Sequence, residues 1–486
     1  MTNKTSPPAP STKTSLRPVT VMVGLILGAG IIMSPAPEGM PVEAWKVLGV
    51  ALCMAFWWLS EALPVPVTAL LPLIAFPILG LFSFKVTAAP YAHPLIFLFM
   101  GGFIIAKAIE SWNLHQRIAL HIVKAFGTRP DYLIAGFMLA TASLSMWVSN
   151  TATTVMMLPI AISIIGVLTE KEDATVASNT GTALLLGIAY SASIGGAGTL
   201  VGTPPNALLA AFAQDNLGIE LGFAEWMTIG LPVVFVMLPL AWLLLTRVTC
   251  PVARVPIPGA KAIIIKEIED LGPMTVEEKR VAAVFALTAL SWVFRPLLTN
   301  AFPNLGLTDS GIALIGAMSL FIIPSNQNDG TSLMTWPKAV QLPWGVLLLF
   351  GGGLSLAGAI SKSGLADTIG GSLTGLSGFP ILVLVGAVTV LIVFLTEITS
   401  NTATTAVFLP IVATVAHSTG VAPLELLVPV ALAASCAFMM PVATPPNAIV
   451  FASDRLTIGQ MAKAGFLLNL IAISVIIFIT WALVAK

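Results

Sequence analysis

The chain has 486 residues, 22 basic and 22 acidic side chains, 57% hydrophobic residues and only 9% charged ones. Soluble globular proteins carry about 25% charged residues, and the mean hydropathy here is +0.97, so the composition excludes a soluble fold and describes an all-α polytopic membrane protein. A net charge of zero gives no footing for a nucleic-acid partner, and Cys53, Cys250 and Cys436 lack metal-ligand spacing and read as buried thiols.

Residues 1–17 are rich in Ser, Thr and Pro and read as a disordered tail. The apolar run after them, 18–43 with its polar exit, has no small-residue cleavage site and reads as a first span rather than a removable signal. Apolar stretches follow at about 44–62, 65–83, 94–125, 131–165, 180–213 and 224–248, then at about 281–299, 310–324, 342–376, 379–418, 422–452 and 461–485. Between the two sets lies the single extended charged stretch, 251–280, which ends on Thr275-Val276-Glu277-Glu278, a capping-box pattern that starts a helix. Lys107 and Glu110 stand three apart on one helix and are expected to pair.

The two sets resemble each other. Ser-Asn-Thr-Ala-Thr-Thr occurs at Ser149–Thr154 and again at Ser400–Thr405, and each copy is followed by Thr-Pro-Pro-Asn-Ala, at Thr203–Ala207 and Thr444–Ala448. Phe99, Leu114 and Ser149 match Phe350, Leu365 and Ser400 at a constant offset of 251, which shortens to 241 at the Thr-Pro-Pro-Asn motif. This predicts a tandem duplication of 44–250 and 281–486, with linker and first span outside it. Reading 131–165 and 379–418 as re-entrant hairpins leaves about 11 transmembrane helices and five crossings per repeat, and an odd number inverts the second copy. With the tail in the cytoplasm and the C-terminus outside, 16 of the 22 Lys and Arg residues fall on the cytoplasmic side and five opposite, as the positive-inside rule requires.

The motifs are polar where the surroundings are apolar, and such groups in a membrane signal function. A single Ser-Asn-Thr could serve helix packing; two copies, each with a Pro-Pro partner, argue for a site. At a hairpin tip, Ser and Asn oxygens with freed carbonyls suit a small monovalent cation, while hydroxyls, amides and N–H groups of a restarting helix suit a carboxylate. Gly195-Gly196-Ala197-Gly198 followed by Gly202-Thr203-Pro204-Pro205 must unwind a helix, giving broken helices at 180–213 and 422–452. Gly101-Gly102 and Gly351-Gly352-Gly353 read as close helix packing. No Lys or Arg lies within either motif pair. Helix ends contribute about 0.3–2 kcal/mol, against several kcal/mol per charge for stripping water from an anion, so bound cations are needed. Glu397, the one titratable group beside a motif, has the uncharged Met146 as its repeat mate and reads as structural, which favours a metal cation over protons.

These residues resemble the divalent anion:sodium symporter family; Trp57-Trp58-Leu59-Ser60-Glu61-Ala62 and Leu271-Gly272-Pro273-Met274 fit it as well, and the resemblance covers nearly all of the chain after the tail. It implies a homodimer of protomers with scaffold and transport domains that works by an elevator motion in the cytoplasmic membrane. It implies that Ser149, Asn150, Thr151, Ser400, Asn401 and Thr402 bind substrate carboxylates, with Thr203, Pro204, Thr444 and Pro445 lining the pocket. By motif matching, one Na+ would sit among Ser145, Ser149, Asn150 and Gly198, and a second among Thr396, Thr399, Asn401 and Ala443. The function expected is import of C4-dicarboxylates (succinate, malate, fumarate) by sodium symport, with no cofactor and no catalysis. The alternatives are a sodium-independent exchanger, a tricarboxylate or sulfate carrier of the same fold, and a membrane enzyme, which would need a His, Cys or carboxylate cluster that neither motif has beside it.

Overall fold

The computed structural model describes residues 17–171, 173–326, 330–372, 375 and 378–484; nearly all of the expected tail lies outside them. Helices form the fold, and among the described residues the sole β feature is one isolated bridge, Pro324 to Ser332. Among the described residues, seven helices are long and apolar enough to cross a membrane, or eight if one bent pair is a single span. Shorter apolar helices include Pro18–Met33, Val65–Ile78, Asp309–Ile322, Ile381–Thr396 and Pro423–Ala434.

Several expected spans are broken, each for a local reason. The stretch 94–125 is two helices, Pro94–Ser111 and Leu114–Phe126, separated by Asn113 in the left-handed region (φ 57°). Its repeat counterpart, 342–376, is divided in the same place into Trp344–Lys362 and Leu365–Ser372, with Gly364 at φ 78°. A left-handed residue ends a helix because the following N–H groups leave the ladder, and Gly364 is the repeat mate of Asn113. Residues 65–83 contain two short pieces, Val65–Thr68 and Leu71–Ile78, each with proline as its second residue. The expected span 281–299 begins earlier, at the Thr275–Glu278 capping box, and bends by 76° between Val276–Val293 and Arg295–Ala301. Within the linker, Ala260–Asp270 is helical.

The glycine stretches bring helices into backbone contact. A Cβ at Gly101 would lie 2.7 Å from the Ala313 backbone, and one at Gly352 would lie 2.3 Å from the Ala69 carbonyl oxygen. Phe99 and Phe350, repeat mates, meet edge to face with ring centroids 5.0 Å apart. Equivalent side chains of two copies touch only near an axis that relates the copies. Polar ties hold the remaining joints. Arg117 pairs with Glu278 at 3.0 Å and donates to the Gly272 and Leu271 carbonyls, so the Leu-Gly-Pro-Met segment is fixed on helix Leu114–Phe126. Trp57 donates to the Val21 carbonyl, tying the first span to the second, and Trp58 to the Val65 carbonyl, tying the second to helix Val65–Thr68. Lys107 and Glu110 pair at 3.1 Å, and all three cysteines are buried free thiols.

Candidate functional site

Each Ser-Asn-Thr motif sits where one helix stops and another starts. The first pair is Pro130–Ser145 and Asn150–Lys171; the second, Ile381–Thr396 and Asn401–Thr419, starts and breaks at the same repeat positions. Contacts with helix Ala174–Gly196 give the direction of each arm. Gly187 meets Met138 and Gly195 meets Ala142, so the first arm runs parallel to it. Gly196 meets Asn150 and Gly181 meets Ile165, so the second arm runs back. The motif is therefore the turn of a hairpin, about 24 Å along the 16-residue first arm.

The helices after each hairpin are broken at the glycines and prolines. Ala174–Gly196 restarts as Pro204–Leu217, and Pro423–Ala434 restarts as Pro445–Phe451. Twelve residues make about 18 Å of helix, too short to cross about 30 Å of hydrocarbon, so Pro423–Ala434 cannot span by itself. The two copies interlock: Pro204–Leu217 packs on the second hairpin, and Pro445–Phe451 packs on the first. Both tips and both breaks are thereby drawn into one region.

At that region the two copies repeat one pattern of contacts, with the carbonyl partner displaced by one residue at the 241 offset. Ser145 Oγ donates to Asn150 Oδ1 at 2.5 Å and contacts the Ala192 carbonyl at 2.7 Å. Its mate Thr396 Oγ1 reaches Asn401 Oδ1 at 2.7 Å and the Ala434 carbonyl at 2.9 Å. Gly196 packs closely on the first tip: a Cβ there would stand 3.0 Å from Asn150 Oδ1. Gly198 packs on Met146, and Ala443 lies buried in the second break. Thr203 and Thr444 are the N-cap residues of the restarted helices, with Pro204 and Pro445 in the first turn, where a missing N–H costs nothing. Ser149 Oγ accepts from Ala152 N at 3.1 Å. The hydroxyls of Thr151, Ser400 and Thr402 have no hydrogen-bond partner among the described residues and are free for a ligand. Thr399 Oγ1 is engaged with the Leu395 carbonyl and Thr404 Oγ1.

Sequence reasoning passed over the asparagine of Thr-Pro-Pro-Asn. Asn206 Nδ2 donates to the Gly196, Ala197 and Thr199 carbonyls, and Asn447 Nδ2 to those of Ala437 and Met440, so each staples its own break. Both amide oxygens, Asn206 Oδ1 and Asn447 Oδ1, are buried without a partner. The signal was present in the duplicated motif itself. Hard oxygen donors from hydroxyls, amides and freed carbonyls suit Na+, whereas no group of three or more His, Cys, Asp or Glu capable of holding a metal occurs among the described residues.

The copies differ just before the tips. Glu397 is 4% exposed, and its carboxylate accepts from Phe438 N (2.7 Å), Met439 N (2.9 Å), Met440 N (3.1 Å) and Asn469 Nδ2 (2.7 Å). It is a structural clamp on the second break, in line with the sequence reading. In the first copy the link between tip and break is reversed: Thr199, the mate of Met440, donates its hydroxyl to the carbonyl of Met146, the mate of Glu397. Trp147 stacks on Phe223 and Trp292, with centroids 5.8 and 6.5 Å apart, whereas its mate Ile398 is 70% exposed. The second arms differ likewise. Val155, Pro159 and Ser163 are exposed, while their mates Ala406, Pro410 and Thr414 are buried against Trp344–Lys362 and Leu365–Ser372.

With this geometry in hand, the comparisons are specific. The family model described as "Sodium:sulfate symporter transmembrane region" matches residues 15–485. The chain is 42% identical over 473 residues to the sodium-dependent dicarboxylate transporter SdcS of Staphylococcus saprophyticus, covering 95% of this chain and 91% of that one. It is 41% identical to SdcS of Staphylococcus aureus, covering 95% and 90%. Among solved structures, the YdaH transporter of Alcanivorax borkumensis is similar in fold, with a TM-score of 0.53 at 12% identity over 97% of both chains. A match across nearly the whole chain, on a helical fold with both motif pairs gathered at its breaks, makes this protein a member of the sodium:sulfate symporter family.

Proposed function

We propose that the protein is a secondary transporter of the cytoplasmic membrane that imports C4-dicarboxylates such as succinate, malate and fumarate with sodium, and that it catalyses no reaction. The observation that carries this is the duplicated tie of tip to break, Ser145–Asn150–Ala192 and Thr396–Asn401–Ala434. The names of the SdcS relatives support sodium and a dicarboxylate. Ser145, Ser149, Asn150 and Gly198 would hold one sodium, and Thr396, Thr399, Asn401 and Ala443 the other. The free hydroxyls of Thr151, Ser400 and Thr402, with Ser149, Asn150 and Asn401, would take the carboxylates, and Thr203, Pro204, Thr444 and Pro445 would line the pocket. The cations neutralise the dianion, since the motifs offer no fixed positive charge.

Both hairpins, both broken helices, Phe223–Leu243 and Ile458–Ile479 form the transport domain of this reading, and the other helices form a scaffold that dimerises. The contact of Phe99 with Phe350 supports a pseudo-twofold relation of the repeats, and the charge distribution supports its inverted form, with eleven spans, the N-terminus in the cytoplasm and the C-terminus outside. Exposure of the first hairpin's second arm, against burial of its mate, then corresponds to a site reached from the cytoplasm. The elevator step would move that burial from one hairpin to the other. Uptake of labelled succinate by proteoliposomes, with and without sodium and against di- and tricarboxylates and sulfate, tests the assignment. Sodium-independent exchange would refute it.

A further inference from the structure

One cavity lies away from the tips. It has a volume of about 440 Å³ and lies between the end of Pro204–Leu217, the outer half of Asn401–Thr419 and the helices Trp344–Lys362 and Leu365–Ser372. Phe212, Leu217, Ile360 and Pro410 give it apolar walls, and Asp367 and His417 line it as well. Small-molecule sites have this size and make-up. Asp367 is the one formally charged lining residue, and no Lys or Arg lines the cavity. Asp367 and His417 are both exposed, and neither the carboxylate nor the ring has a hydrogen bond or ion pair among the described residues. Toward the tip Gly353 packs on Ala406, a Cβ at the glycine standing 3.1 Å from the alanine methyl. No residue of either Ser-Asn-Thr or Thr-Pro-Pro-Asn motif lines the cavity.

We propose that this cavity is a binding site for a small apolar amine, which holds the transporter in the present conformation. The apolar walls take the body of the ligand, and the unpaired Asp367 takes its ammonium group. A dicarboxylate is disfavoured by the same carboxylate, which separates this site from the one at the tips. Its walls come from both the proposed transport domain and the proposed scaffold. The mates of Ala406, Pro410 and Thr414 in the first hairpin are exposed. A ligand that fits one arrangement of the two domains and not the other shifts the population toward the one it fits. The inhibitory consequence rests on the sliding motion proposed above; binding does not.

The test compares three isosteres, 1-aminoadamantane, 1-adamantanol and adamantane-1-carboxylate, on the full-length protein. Binding is read by thermal shift in detergent, and inhibition by sodium-driven succinate uptake in proteoliposomes. The amine should bind saturably and inhibit, the alcohol should be about tenfold weaker, the worth of one charge-assisted hydrogen bond, and the carboxylate should do neither. Asp367→Asn should keep wild-type uptake and abolish the amine's advantage, and Ala413→Trp should remove amine binding. Equal potency of amine and alcohol, or amine binding that survives both variants, overturns the site. Binding without any effect on uptake overturns its selectivity for one conformation. A wild-type protein that binds the amine and moves no dicarboxylate contradicts the transport reading and leaves the site standing.

Discussion

Glu397→Gln probes how the second break is built. In the native chain both carboxylate oxygens are used: Oε1 accepts from Phe438 N, Met439 N and Asn469 Nδ2, and Oε2 from Met439 N and Met440 N. The amide keeps one acceptor and turns an NH₂ toward backbone N–H groups, which strands the Met440 N–H inside the protein. A buried donor left unsatisfied costs about 1–3 kcal/mol. Met440 also carries the carbonyl that Asn447 staples, three residues before Ala443. Disorder there is therefore felt at the proposed second cation site. If the whole cost falls on sodium binding, the affinity drops about 5- to 150-fold. The assay is succinate uptake as a function of sodium, paired with the sodium-induced rise in melting temperature. The half-saturating sodium concentration should rise within that range, and Met146→Leu, at the mate position, should change it less than about twofold, because the Met146 link uses its backbone carbonyl. An unchanged sodium dependence in Glu397→Gln, with only a lowered melting temperature, would refute the coupling of this clamp to the cation site.

Two further outcomes follow from packing. In a cysteine-free background, Val155→Cys should react with a membrane-impermeant maleimide from the cytoplasmic side and Ala406→Cys should not, since their exposures are 53% and 3%; equal labelling contradicts the assigned access side. Gly352→Ala should lower the melting temperature through about 1–3 kcal/mol of overpacking, because its Cβ would stand 2.3 Å from the Ala69 carbonyl oxygen. Gly371→Ala, where a Cβ meets nothing within 4 Å, is the control.

The hairpins and broken helices were legible because duplication exposes a motif that a single copy would hide. Ser145 and Thr396 could be paired by offset alone, and their hydroxyls make the same two contacts. Helix ends within apolar stretches were not legible. Asn113 and Gly364 occupy the same repeat position, but left-handed backbone is a property of conformation that the hydrophobic pattern does not encode. The Trp147 stack was hidden for another reason: its partners Phe223 and Trp292 are 76 and 145 residues away, and no local period links them. Glu397 was readable as structural from its uncharged mate, whereas its four donors, 41 to 72 residues distant, were not.

The central claim is that one site at the two tips binds dicarboxylate and sodium together. Its most direct test is sodium-gradient-driven uptake of labelled succinate by the wild type, Asn150→Ala and Asn401→Ala in proteoliposomes, with folding checked by size-exclusion chromatography. The account predicts sodium-dependent uptake by the wild type and its loss in both folded variants. Full uptake by both variants, or wild-type uptake indifferent to sodium, would contradict it.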